Sequence, residues 1–298
     1  MKDWQHATVS AIIPVFNGRN RVGQAIESAL AQTHVLKEVI VVDDGSTDDT
    51  AEVVRQYPVQ YVHQLNAGPG AARDTGARLA GGEWFAFLDH DDTWRPDKTE
   101  RQIQFGLDPL VGVVYCALKK IDQAPMNWEH LWGRNIVGTP SSVLVRRQCY
   151  FDAGGFDRRR SLIGVEDHHL WLRVALTDWR LVRCPTPLFT YAPTDQSLSN
   201  QYLKMMRAEW TNCEDIGPRA GLSEKIIQKK KIDIANHYIR EFIGKRNMEE
   251  ARAVISEIGG RNVPLELLLG AFSPNWVLKV RKSIRARTVG VCEDGLLS

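Results

Sequence analysis

Four short apolar runs, residues 9–13, 38–42, 59–62 and 84–88, punctuate the N-terminal part of the chain, and each is rich in β-branched or aromatic side chains. Between them lie stretches with helical spacing: Val22, Ile26, Ala29 and Leu30, then residues 50–57, then 71–79. Runs this short predict buried parallel strands, and strand alternating with helix predicts a doubly wound, mostly parallel α/β sheet. Ligands of such sheets bind outside the carboxyl ends of the strands, so the residues that follow each strand matter most. Here they are polar. Pro14-Val15-Phe16-Asn17-Gly18 follows the first strand, Asp43-Asp44-Gly45-Ser46 the second and Asp89-His90-Asp91-Asp92 the fourth, so three loops are expected to converge on one rim.

Residues 112–191 mix short strands with a helix, and they carry Gly154-Gly155-Phe156-Asp157 followed by Glu166-Asp167. Beyond about residue 198 the pattern turns helical, with 225–242, 248–258 and 276–287 as the expected helices. The 298 residues, 43% hydrophobic and 25% charged, suit one large domain of about 1–200 plus a helical C-terminal extension over 201–298. With 38 basic and 36 acidic residues the net charge is +2, so no overall field points to a nucleic-acid partner. Cys116, Cys149, Cys184, Cys213 and Cys292 are scattered without C-x-x-C spacing, which argues against a zinc site and fits a reducing cytosol. The apolar stretch after Lys2, Asp3, Trp4, Gln5 and His6 is too short for the core of a signal peptide, and no run approaches the ~20 apolar residues that cross a bilayer. A cytoplasmic protein is expected, with binding to a membrane surface left open.

Asp89-x-Asp91 at a strand end places alternate side chains on one face, which suits two carboxylates aimed at one oxygen-preferring cation, Mn²⁺ or Mg²⁺. Asp91 is the expected metal ligand, with Asp89 on a ribose or on the metal through water. The other reading is a solvated acidic turn, in which Asp92 caps the turn before Pro96. The second loop has two readings as well: a turn capped by Asp48, or a shelf for a nucleotide base made by Asp43 and Asp44, where the Asp44 carboxylate accepts the imide N–H of uracil. Asn66-Ala67-Gly68-Pro69-Gly70-Ala71-Ala72-Arg73 offers glycines for close backbone approach, a helix start at Pro69 or Ala71, and an arginine suited to phosphate.

Taken together, these loops resemble the family 2 glycosyltransferases, which have the GT-A fold. The resemblance is carried by Ile12-Ile13-Pro14-Val15-Phe16-Asn17, Val41-Val42-Asp43-Asp44-Gly45-Ser46-Thr47-Asp48, residues 66–76 with Arg73, and Phe87-Leu88-Asp89-His90-Asp91-Asp92. Ser141-Ser142-Val143, Gly154-Gly155-Phe156-Asp157 and Glu166-Asp167-His168-His169-Leu170-Trp171-Leu172-Arg173 extend it, so that it covers residues 8 to roughly 195. The resemblance implies inverting transfer of a sugar from a nucleoside diphosphate donor. Residues of about 1–110 would bind the nucleotide sugar, and those of about 111–200 the acceptor. In this likeness Pro14, Phe16 and Asp44 match positions that hold the nucleoside, Arg73 lies on the donor side, and Asp89-x-Asp91 matches the metal motif. Asp74 and His168-His169 depart from the residues usual in the family.

Inversion requires a base that takes the proton of the attacking hydroxyl. By resemblance this is Asp167, with Glu166 in reserve or on the acceptor. The same two carboxylates would also favour a helix N-terminus with no catalytic role. Trp171 reads as a core residue. In the tail, Trp276, Val277, Val280 and Ile284 share one helical face while Lys279, Arg281, Lys282, Arg285 and Arg287 crowd the rest. That pattern suits a peripheral membrane contact at the inner face of the cell membrane, or an ordinary amphipathic helix that begins near Ser273-Pro274.

The expected activity is transfer from a UDP-sugar to a hydroxyl of a saccharide or lipid-linked saccharide, in polysaccharide, lipopolysaccharide or capsule synthesis. The alternatives are a nucleotidylyltransferase, whose glycine-rich loop is missing after Ile13, and a non-catalytic sugar-nucleotide-binding or scaffold protein of the same fold. The absence of G-x-G-x-x-G disfavours a dehydrogenase.

Overall fold

The computed structural model describes residues 6–116, 126, 128–192 and 201–272, which fall into two compact units, Met1–Ser197 and Leu198–Ser298. The first unit is built on a seven-stranded sheet. Its strands are β1 (Val9–Val15), β2 (Glu38–Asp43), β3 (Gln60–His63), β4 (Trp84–Phe87), β6 (Val111–Cys116), β7 (Val143–Arg146) and β8 (Arg180–Cys184); β5 (Thr93–Trp94) pairs separately with β9 (Phe189–Thr190). The order across the large sheet is β3-β2-β1-β4-β7-β6-β8. β1, β2, β3 and β4 pair in parallel, as the four apolar runs predict, while β7 pairs antiparallel with both β4 and β6.

Helices cover both faces. β1 is buried along its whole length, as a central parallel strand must be. Val9, Ala11, Ile13 and Val15 pack with Val22, Ala25, Ile26 and Ala29 of α1 (Val22–Leu30). The intervening Ile12 meets Gly76 of α3 (Pro69–Leu79), where an added Cβ would come within 2.5 Å of Ile12 Cγ2. Between these helices, α2 (Thr50–Val54) is shorter than its spacing predicts, and Asp48 accepts from Thr50 N–H just ahead of it at 3.1 Å.

α4 (Lys98–Phe105) shows no apolar stripe because its inner face is polar: Lys98, Thr99 and Gln102 are fully buried beside Ile103. Gln102 Nε2 donates to the carbonyls of Ser142 (2.8 Å) and Val114 (3.1 Å), while Thr99 donates through N–H and hydroxyl to Gln32 Oε1 at 3.0 Å. Lys98 Nζ donates to Gln102 Oε1 at 2.7 Å and to Val143 O at 3.3 Å, and lies 4.4 Å from the Trp94 ring centroid. These bonds pin the start of β7 from below.

The remaining helices of the first unit are α5 (Trp128–Gly133), α6 (Arg147–Asp152) and α7 (Glu166–Ala175). The second unit consists of α8 (Tyr202–Arg219), α9 (Glu224–Gly244), α10 (Met248–Ile258) and α11 (Leu265–Phe272), in line with the helical C-terminal part expected from sequence. Among the described residues no helix is long and apolar enough to cross a membrane. The expected basic helix over 276–287 and its start at Ser273-Pro274 lie outside the described residues, as does Cys292; the other four cysteines are buried and free.

Burial pulls the Lys98 ammonium down to about 8. The unfolded chain therefore binds more protons than the folded one between about pH 8 and 10.5, and stability rises with pH across that window. Against Lys98→Met, whose unfolding lacks this linkage, the wild type should gain roughly 3 kcal/mol between pH 7 and pH 10 in urea titrations. A difference that stays constant with pH would show that Lys98 is not desolvated.

Candidate active site

Parallel pairing brings the carboxyl ends of β1, β2 and β4 to one rim, and antiparallel β7 adds to that rim the residues that enter it, Thr139 to Ser142. Asn17 stitches the first two loops together: its Oδ1 accepts from Thr47 N–H at 2.8 Å, and its N–H donates to Ser46 Oγ at 2.9 Å. Asn17 holds a φ of 50°, a region that asparagine tolerates. Gly18 lies against the fourth loop, where a Cβ would come within 2.7 Å of the His90 ring. Beside them Pro14 is buried in β1, and the Phe16 ring is 46% exposed.

Asp43 and Asp44 are both buried. Asp43 accepts from Ser46 N–H (2.8 Å) and from the Tyr61 hydroxyl (2.7 Å). Asp44 organises the third loop: Oδ1 accepts from Gln64 Nε2 (2.7 Å) and Ala67 N–H (2.8 Å), and Oδ2 from Gly68 N–H (2.8 Å). Three of its four acceptor positions are thus taken, which leaves one on Oδ2. Gly68, with φ of 97°, closes that loop, and Pro69 opens α3 where the missing N–H is not needed.

Arg73 occupies the centre of the rim and is almost fully buried. Its Nη2 donates to Asp89 Oδ1 at 2.5 Å and its Nη1 to Glu166 Oε1 at 2.8 Å, so one guanidinium ties the end of β4 to the start of α7. Burial alone would lower its pKa, but the two carboxylates more than offset that and hold it above its ordinary value. Asp89 Oδ2 accepts from Thr139 Oγ1 at 3.1 Å, and Asp89 N–H donates to Ser141 Oγ at 3.0 Å. Glu166 Oε2 accepts from Gly164 N–H at 2.6 Å.

Asp167 adjoins this network. Its Oδ2 accepts from Asn135 Nδ2 at 3.0 Å and its Oδ1 from His168 N–H at 2.6 Å. Burial and then the Glu166 charge push its carboxyl up to about 7. The helix that carries the pair begins at Glu166. His168 and His169 part company on it: His168 Nε2 lies 2.7 Å from Leu131 O, and His169 is fully buried, as is Trp171. Asp74 bonds neither to the donor loop nor to Arg73. Its Oδ1 accepts from the Tyr150 hydroxyl (3.0 Å) and its Oδ2 from Arg78 Nε (2.8 Å), beside the Gly155 turn.

The fold therefore brings Arg73, Asp89, Glu166 and Asp167 together, with Pro14, Phe16, Asp43 and Asp44 on the adjoining loops. Asp91 is half-buried, and its carboxylate has no hydrogen-bonding partner among the described residues. Asp92, read from sequence as a turn cap, is instead buried. Its Oδ1 accepts from Ala192 N–H at 3.1 Å, and its buried Oδ2 has no hydrogen-bonding partner among the described residues. Burial and then neighbouring Asp89 push the Asp92 carboxyl up to about 7. Asp89, Asp91 and Asp92 thus set three carboxylates, the ligand type that Mn²⁺ and Mg²⁺ prefer, on one turn. Sequence reasoning also missed Asn135 and Thr139, which reach the rim only through the reversed direction of β7 and carry no motif of their own.

The chain matches the family model described as glycosyl transferase family 2 over residues 10–178. It is 37% identical over 229 residues to "Putative teichuronic acid biosynthesis glycosyltransferase TuaG" of Bacillus subtilis, an alignment that covers 70% of this chain and 88% of that protein. It is 44% identical over 119 residues to an uncharacterized glycosyltransferase of Rickettsia prowazekii, covering 39% of this chain and 37% of that protein's length. Among solved structures, S. aureus TarS 1-349 in complex with UDP-GlcNAc is similar at TM-score 0.63 and 19% identity, covering 87% and 82% of the two chains. A mannosyltransferase from Pyrobaculum calidifontis in complex with GDP-Man and Mn²⁺ is similar at TM-score 0.62 and 19% identity, covering 95% and 83%. The shared architecture is the GT-A fold.

Removing Arg73 would leave Asp89 and Glu166 without their shared cation. Arg73→Met should cost about 3–5 kcal/mol in urea unfolding, and Arg73→Lys should recover little, because a single ammonium does not span two carboxylates as the planar fork does. A loss below about 1 kcal/mol would contradict this arrangement.

Proposed function

The chain belongs to glycosyl transferase family 2, and from that premise we propose that it transfers a sugar from a UDP-sugar to a hydroxyl of a saccharide or lipid-linked saccharide, with inversion at the anomeric carbon. The observation that carries this reading is the Arg73 bridge, which fixes the carboxylates at the end of β4 and the acidic start of α7 on one rim. A donor diphosphate beside Asp89 and Asp91 then has its sugar facing Glu166 and Asp167.

In this mechanism Asp167 takes the proton of the attacking hydroxyl as the new bond forms on the face opposite the leaving phosphate. Its raised pKa suits that step at neutral pH. Glu166, held by Arg73 and Gly164 N–H, lies beside it and orients the acceptor. Mn²⁺ or Mg²⁺, when bound at Asp91 with Asp89, supplies neutralisation of the charge that develops on the leaving diphosphate. Pro14 and the exposed ring of Phe16 hold the nucleoside, with Asp43 and Asp44 shaping the shelf and the remaining Asp44 acceptor position suited to an imide N–H. Residues of about 1–110 form the donor half, 111–200 the acceptor half and 201–298 an accessory helical part.

Cell-surface polysaccharide synthesis is the proposed context, supported by the teichuronic acid relative and by a second relative, the succinoglycan biosynthesis protein ExoO of Rhizobium meliloti. The UDP-GlcNAc and GDP-Man complexes of the two structural neighbours support a nucleotide-sugar donor, and the Mn²⁺ of the second supports the cation. A lipid-linked acceptor would place the enzyme in the cytoplasm at the inner face of the cell membrane.

Isothermal titration with UDP and Mn²⁺ separates the two halves of the site. Asp91→Asn should weaken Mn²⁺-dependent UDP binding by about 10-fold or more. Asp167→Asn should leave that affinity within about 2-fold while turnover falls by about 10²–10⁴. Equal loss of UDP binding in both variants would overturn the division of roles.

A further inference from the structure

We infer that Trp128 and Trp132 form a subsite for a sugar ring of the acceptor, next to the proposed base. The inference rests on the glycosyltransferase reading above and names the surface that receives the acceptor.

The two indoles stand one helical turn apart on α5, four residues in sequence, and stack with centroids 5.9 Å apart at an interplanar angle of 16°. Leu131 is the fully buried residue of this helix, whereas both tryptophans remain partly accessible. Among the described residues neither indole has another ring or a cation against it, and neither N–H has a hydrogen-bonding partner. Their partial exposure sets these indoles apart from the core tryptophan Trp171, which is fully buried. A flat, electron-rich face with an N–H at its edge matches a pyranose ring, whose axial C–H bonds settle on the face while a hydroxyl accepts from the N–H.

The position of α5 identifies which sugar this would be. α5 and the residues just after it bond to the start of α7: Leu131 O lies 2.7 Å from His168 Nε2, and Asn135, three residues beyond Trp132, donates to Asp167 Oδ2 at 3.0 Å. The helix that carries the platform therefore runs directly on into the segment that bonds the carboxylate proposed to accept the proton. Asn135 is itself fixed by Gly138, whose N–H donates to Asn135 Oδ1 at 3.1 Å. The platform's helix and the base are thus linked through these hydrogen bonds. We assign a ring stacked there to the acceptor, because α5 bonds to α7, the helix that carries the proposed base, while Asp91 belongs to the turn after β4.

Saturation-transfer NMR tests this with methyl glycosides of glucose, galactose, mannose and N-acetylglucosamine, each in the presence of UDP and Mn²⁺. The wild type should transfer saturation to the ring-face C–H protons of at least one glycoside. Trp132→Ala and Trp128→Ala should each reduce that transfer by about five-fold or more, with Trp132→Phe retaining most of it, since a phenyl ring still offers a face. Thermal melting and UDP affinity should be unchanged in all three variants, which separates loss of the subsite from loss of the fold. No transfer from the wild type to any of the four glycosides, or equal transfer in wild type and both alanine variants, overturns the subsite. Absence of UDP binding by the wild type would count against the glycosyltransferase reading instead.

Discussion

The ionic bridge from Arg73 to Asp89 and Glu166 is the interaction on which the arrangement of the site depends. Two carboxylates from elements far apart in sequence are held by one buried guanidinium, and each uses its other oxygen on a further donor, Thr139 Oγ1 or Gly164 N–H. Such a pair costs desolvation, so it survives only where its hydrogen bonds are well made. Here they are, apart from the buried Arg73 Nε, which has no partner among the described residues. What the bridge secures is position. The turn after β4 and the first turn of α7 cannot drift apart without exposing or orphaning a charge.

The charge balance around that bridge is uneven. Among the described residues Asp89 and Glu166 share one arginine, and burial, then neighbouring carboxylates, push the carboxyls of Asp92 and Asp167 up to about 7. A site made for stability alone would pair these groups or replace them. Under the proposed function, an excess of negative charge next to a half-buried Asp91 with no partner among the described residues would suit a cation carrying a diphosphate, and a carboxyl with a raised pKa would suit moving a proton. The same unevenness argues against a scaffold that has kept the fold and lost turnover.

How much of this was legible in sequence follows the reach of each signal. The parallel strands announced themselves because a strand buried on both faces is apolar throughout, and Glu166-Asp167 marked the start of α7 because acidic residues favour a helix N-terminus. α4 escaped because its buried face is Lys98, Thr99 and Gln102, so no apolar period exists to be read. α8 escaped because it buries Asn212 and Cys213 and runs through Gly217-Pro218, residues that usually stop a helix. Asp92, Asn135 and Thr139 were invisible as site residues for a different reason. Their roles come from the reversed β7 and from the contact with Ala192, which only the assembled sheet creates. Arg73 was placed on the donor side from its motif, but its two carboxylate partners, 16 and 93 residues away, could not be.

The most direct test of this account is anomalous diffraction from crystals grown with UDP and Mn²⁺. The account predicts a manganese peak at the Asp91 carboxylate, on the diphosphate, at an oxygen–metal distance of roughly 2.0–2.3 Å, with Asp167 across the rim and the Arg73 bridge intact. A manganese position away from Asp91, or UDP seated outside the rim formed by β1, β2 and β4, would contradict it.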